Sequence, residues 1–75
     1  DTDIVLDGGA YAGLTAVVLQ RAMFAATGVY RVPAVRVTGR AYATNHVPSG
    51  AFRGFGAPQA FFAVEQHMDD IASRL

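Results

Sequence analysis

Apolar and polar positions divide the chain into four periodic stretches separated by breaks rich in glycine and proline. Ile4, Val5 and Leu6 form a short apolar run closed by Asp7-Gly8-Gly9, the pattern of a buried strand leaving through a turn. Residues 13–27 predict a helix, with Leu14, Val17, Val18, Arg21, Phe24 and Ala25 at helical spacing on one side. Gly28 is placed to stop it in the left-handed conformation, and Pro33 prevents resumption. Residues 35–44 alternate. Val35, Val37, Gly39, Ala41 and Ala43 point one way; Arg36, Thr38, Arg40, Tyr42 and Thr44 point the other, giving a strand with one polar, arginine-bearing face. A loop over 45–56 follows. Pro58 then opens a second helix whose Phe61, Val64, Met68, Ile71 and Leu75 make an apolar stripe.

The order strand, helix, strand, loop, helix predicts a small α/β (or α+β) unit, with two helices packed on a small, two-stranded sheet. Residues 1–75 read as one fragment of a domain. Two strands alone are marginal, so a homodimer is one expected way for the piece to bury its apolar faces.

Composition sharpens this. The chain is 52% hydrophobic and only 16% charged, whereas a free-standing small domain carries more charge. Its excess apolar surface calls for the rest of a larger protein, or for partners in a small non-catalytic dimerising module. The absence of cysteine excludes disulfides, thiolate metal sites and cysteine nucleophiles. His46 and His67 are too far apart in sequence for a metal-ligand spacing. No apolar run approaches the roughly 18 residues of a membrane span. The acidic Asp1-Thr2-Asp3 start lacks the basic region of a signal peptide, and a cytoplasmic location is expected.

Net charge is zero, but the charges are segregated. Arg21, Arg31, Arg36, Arg40 and Arg53 lie between Asp7 and Glu65 with no acidic residue among them. Either this is a solvated surface, or the middle of the chain faces something anionic. Arginine without lysine suits bidentate contacts to oxyanions. The arginines are scattered over helix, strand and loop, which counts against nucleic-acid binding. Arg21 stands out because it lies on an apolar helix face, either as a snorkelling side chain or as a functional one.

The unusual segment is residues 49–59, Ser-Gly-Ala-Phe-Arg-Gly-Phe-Gly-Ala-Pro-Gln. Glycines let a backbone approach a ligand and expose its N–H groups. A helix start adds unpaired donors and partial positive charge. Arg53 adds a planar donor fork, and Phe52 and Phe55 add flat surfaces that can stack on a ring. These parts suit an anionic, oxygen-rich cofactor beside a planar substrate. A glycine-rich turn whose phenylalanines fill the core is the simpler alternative. The segment is neither a Walker A loop nor a dinucleotide fingerprint, because the glycine spacing is wrong for both.

Residues 50–59 closely resemble the AFRGFGxPQ signature of the xanthine dehydrogenase/aldehyde oxidase family of molybdenum hydroxylases. The resemblance continues without a gap through nearly the whole chain. Asp7-Gly8-Gly9-Ala10-Tyr11 resembles the family's DGGxY turn, and Arg21-Ala22-Met23-Phe24 its ERALF segment. Tyr30-Arg31-Val32-Pro33 resembles YxxP, and Thr38-Gly39-Arg40 with Thr44-Asn45 resembles TGR…TN. Gln20 departs from the glutamate of ERALF, and Ala57 stands where many members have glycine.

The resemblance implies a fragment of the large molybdopterin-binding subunit of an oxidoreductase that hydroxylates an N-heterocycle such as a purine, or an aldehyde, with water as oxygen source. It implies a molybdenum–molybdopterin cofactor, with iron–sulfur clusters and FAD on other domains or subunits. Phe52, Arg53 and Gly54 would contact the cofactor and Phe55 the substrate ring. Arg21 would stabilise negative charge developing on the substrate, a role whose removal typically costs about 3 kcal/mol of barrier. The family's general-base glutamate matches nothing in this chain; Glu65 lies in the second helix and does not correspond to it. The isolated chain is therefore expected to be inactive, with the remainder of the subunit, the redox domains and a small aromatic or aldehyde substrate as partners.

Overall fold

β1 (Thr2–Asp7) and β2 (Val37–Tyr42) run parallel, joined through α1 (Thr15–Phe24), and α2 (Ala57–Arg74) follows β2 after a long loop. This is a computed structural model, describing residues 1–11 and 13–75. Thr2 pairs with Val37, Ile4 with Gly39 and Leu6 with Ala41. A parallel pair needs a crossover, and the helix between the two strands supplies it. The small α/β unit expected from the hydrophobic pattern is the one observed.

The alternation read along β2 decides which face α1 covers. Gly39 is the reason α1 can lie so close. A Cβ there would stand 2.5 Å from the Met23 sulfur and 3.0 Å from a Leu19 methyl. The opposite face carries the polar side chains. Thr38 Oγ1 donates to Asp3 Oδ1 at 2.8 Å, Arg40 pairs with Asp3, and Arg36 pairs with Asp1 at 2.5 Å. The charge separation seen along the chain is therefore undone in space. Arg36 and Arg40 meet Asp1 and Asp3 across the ladder, which for these two favours the solvated surface over a face toward an external anion. Both pairs are exposed, so solvent screening leaves each with little effect on stability.

The helices are less conventional. α1 ends at Phe24, three residues short of the predicted end, and Gly28 takes the left-handed conformation at φ 59° in the turn that follows. α1 packs on both strands, whereas α2 contacts α1 but neither strand. Tyr30 fastens α2 from the side, its hydroxyl donating to Glu65 Oε2 at 2.8 Å. That bond to a carboxylate, with lesser contributions from burial and Asp69, raises the phenol pKa. On α2 the predicted stripe is half-buried at Val64 and Met68 and exposed at Phe61, Ile71 and Leu75.

The buried hydrophobic side chains are Ala22, Ala25 and Ala26. A compact protein of 7.9 kDa exposes about 4,400 Å²; this one exposes 5981 Å². Its radius of gyration is 13.6 Å, against about 11 Å for a compact chain of this length. The predicted apolar excess is thus real, and it lies on the surface.

Candidate functional site

The loop over residues 50–56 is shaped by three consecutive positive φ angles: 88° at Gly54, 52° at Phe55 and 89° at Gly56. Phe55 is the only non-glycine in this region among the described residues. A bulky side chain there costs about 1–2 kcal/mol of backbone energy, so its neighbours must hold it. They do so at two points. Gly54 lies against Pro58, where a Cβ would fall 2.4 Å from the ring. Gly56 is buried against α1, where a Cβ would meet the Val18 carbonyl oxygen at 2.7 Å and the Ala22 Cβ at 3.3 Å. Ala57 N–H then closes the turn onto the Gly54 carbonyl at 3.0 Å, and α2 begins.

Gly56 therefore docks the loop onto the turn of α1 running from Val18 to Ala22. Arg21 belongs to that same turn. The predicted site residues Arg21, Phe52, Arg53, Gly54 and Phe55 are all exposed. Phe52 is fully exposed at 102%, so it does not fill the core. Among the described residues Arg21 and Arg53 make no hydrogen bond or ion pair. The backbone N–H groups of residues 51–56 likewise donate none. The loop thus offers unpaired donors and one guanidinium beside two aromatic rings.

The placement of Arg21 corrects one expectation. The buried side of α1 and of the turn after it carries Val18, Ala22, Ala25 and Ala26, while Leu14, Val17, Arg21 and Phe24 form an outward stripe. Phe24 is 85% exposed. Arg21 does lie in an apolar stripe, but that stripe faces away from this chain's own core. The helix is apolar nearly all round, so periodicity could not tell which side meets the sheet.

A second cluster supports the loop. Asp7, at the end of β1, accepts from Gly9 N–H at 3.0 Å and from Thr44 Oγ1 at 2.5 Å through one carboxylate oxygen. The other oxygen meets His46 Nδ1 at 2.8 Å. The Thr44 hydroxyl, then His46, then the Gly9 N–H favour the carboxylate and lower its pKa from 3.8 to about 2. Backbone bonds stitch the same two segments together: Thr44 N–H to the Gly9 carbonyl, Ala10 N–H to His46, and Ser49 N–H to Gly8. A side chain at Gly9 would strike Pro48, 2.5 Å away. Neither Asp7 nor His46 is among the site residues expected from the sequence. The Asp-Gly-Gly order was the available signal, because an aspartate bonding the N–H two residues on is a common turn. Thr44 and His46 are 37 and 39 residues from Asp7, so only the parallel pairing brings them there.

A model of the molybdopterin cofactor-binding domain family matches residues 1–75. The chain is 44% identical over 75 residues to a probable xanthine dehydrogenase subunit of Bacillus subtilis (strain 168), covering 100% of this chain and 10% of that protein. It is 43% identical over 76 residues to an aldehyde oxidoreductase of Megalodesulfovibrio gigas, covering 100% and 8% respectively. It is 46% identical over 69 residues to a nicotinate dehydrogenase large molybdopterin subunit of Eubacterium barkeri, covering 92% and 16%. The chain thus spans a small part of each relative's length. No solved structure matches it.

Proposed function

Because the chain belongs to the molybdopterin cofactor-binding domain family, we propose that it forms part of the cofactor and substrate site of a molybdenum hydroxylase's large subunit. What carries this reading is the exposed loop over residues 51–56, whose backbone N–H groups and Arg53 make no hydrogen bond among the described residues, seated through Gly56 on the Val18–Ala22 turn that also contains Arg21. The donor set fits the cofactor. An oxygen-rich anionic group needs N–H donors and a cation, and residues 51–56 and Arg53 supply both without internal competitors.

When bound, the molybdenum–molybdopterin group supplies the redox chemistry that inserts an oxygen from water into a carbon–hydrogen bond. The residues of this chain hold and orient. Gly54 lets the backbone approach the cofactor, and its neighbours' N–H groups and the Arg53 guanidinium bind its oxygens. Phe55, fixed by its glycine neighbours, presents a ring face to a planar substrate. Arg21 faces the substrate, and its fixed charge favours the state in which negative charge has moved onto the ring or carbonyl. The substrate class is an N-heterocycle or an aldehyde, as the names of the relatives divide between xanthine, nicotinate and aldehyde. The remainder of the large subunit supplies the base and the rest of the cofactor site, and iron–sulfur and flavin domains carry the electrons away. We place the whole in the cytoplasm.

The test is made on the intact enzyme. Arg53→Ala is expected to lower molybdenum per subunit, and Arg21→Ala to lower kcat with molybdenum retained. Full occupancy and full turnover in both variants would refute the assignment. The isolated chain should hold no molybdenum and oxidise neither purines nor aldehydes; steady turnover by it would refute that part.

A further inference from the structure

Among the described residues, β1 uses only one of its two edges. Thr2 N–H donates to the Arg36 carbonyl and Gly8 N–H to the Tyr42 carbonyl. By the alternation of a parallel ladder, the even-numbered residues of β1 therefore face β2. The N–H and C=O groups of Asp3 and Val5 face the other way. Along that free edge lies a groove of about 390 Å³. One side is β1 itself, from Thr2 to Leu6; the others include Val18 and Ala22 of α1, Ala26 just after it, and Ala60, Ala63 and Val64 of α2.

The position of α2 indicates what the groove is for. Neighbouring helices lie about 8–10 Å apart, and neighbouring strands about 4.8 Å. A helix beside α1 is thus displaced by about two strand spacings from the strands that α1 covers. α2 sits beyond the free edge of β1 and touches no strand, over the place where the next strand of the sheet would run. Parallel sheets are normally covered on both faces and have more than two strands. β1 carries neither the lysine nor the proline that commonly guards a permanently open edge.

We propose that this edge receives a β-strand from elsewhere in the same large subunit, laid in the groove under α2 and bonded to the main chain of Asp3 and Val5. The proposal rests on the reading of the chain as part of that subunit. A relative such as the Bacillus subtilis protein is about ten times longer than the matched segment. A covalently attached strand therefore competes at high effective concentration against a second copy or a foreign peptide. The four alanines in the lining leave depth, and Val18 and Val64 apolar contact, for the strand's own apolar side chains on the α2 side.

Residue-resolved hydrogen exchange on the intact holoenzyme, at two concentrations tenfold apart, tests this. The Val5 amide is expected to exchange about 100-fold or more slowly than an unstructured amide, at the same rate in both samples. Free exchange at Val5 beside protected Ile4 and Leu6 overturns the proposal. So does protection lost on dilution, which would assign the edge to a second copy. Molybdenum measured on the same preparation separates the two readings. Stoichiometric metal with an unprotected Val5 sinks the strand alone, and a protected Val5 in a subunit that takes up no molybdenum sinks the cofactor site alone.

Discussion

Replacing Gly56 with alanine tests the seat of the signature loop directly. The added Cβ would stand 2.7 Å from the Val18 carbonyl oxygen and 3.0 Å from a Val18 methyl, at a backbone φ of 89°. The positive φ costs a non-glycine residue about 1–2 kcal/mol. The contact with main chain cannot be relieved by a rotamer change, so the start of α2 must move off α1, adding about 1–3 kcal/mol of overpacking strain. The sum, about 2–5 kcal/mol, is large against the roughly 4–11 kcal/mol that stabilises a domain of this length. Gly50 is the control, because a Cβ there meets nothing within 4 Å. Gly50→Ala should change stability by no more than about 0.5 kcal/mol. Urea unfolding followed by far-ultraviolet circular dichroism compares the two variants. In the intact enzyme the same displacement, on the order of 1 Å, is expected to lower kcat by about 100-fold. Equal behaviour of Gly56→Ala and Gly50→Ala in both assays would refute the argument that this contact positions the loop.

Three further outcomes follow from the same structure. Asp7 has a folded-state pKa of about 2, below its ordinary 3.8. Its contribution to stability is therefore complete above the unfolded value and lost as pH falls through the folded one. The amide signal of Gly9 should report this between pH 4 and 2, and Asp7→Asn should remove that titration; an unchanged titration would show that another group is responsible. Gly39→Ala should cost less than Gly56→Ala, because its nearest obstacle is the flexible Met23 sulfur at 2.5 Å and not backbone; thermal unfolding of the pair checks the order. Arg21→Ala should lower kcat by about 100- to 1,000-fold, with Arg21→Lys failing to restore it. Since Arg21 is exposed, both variants should melt within a degree or two of the parent, and a large melting shift would mean that the loss of rate is structural.

Much of the candidate site is legible in the sequence. The signature loop is local chemistry: glycines, an arginine and two phenylalanines within eleven residues carry their meaning in their order. The alternation over β2 was also local and gave the correct faces, because strand geometry alone fixes that side chains alternate. α1 was legible as a helix but not in its orientation. Val17 and Val18 are equally apolar, yet only the second lies against Gly56. The Asp7 cluster was hidden for a different reason, since its members are joined by the sheet register and not by spacing.

The sequence by itself determined the elements, their order, the excess of apolar surface and the signature segment that marks the family. Those properties depend on residues near one another in the chain. The tertiary structure decided the rest: that the strands pair in parallel, that Arg36 and Arg40 meet Asp1 and Asp3, that Arg21 points away from the alanine core, and that one edge of β1 lies open beneath α2. Each of these depends on which surfaces meet at long range, and a chain that is apolar on most sides does not encode that choice in its local pattern.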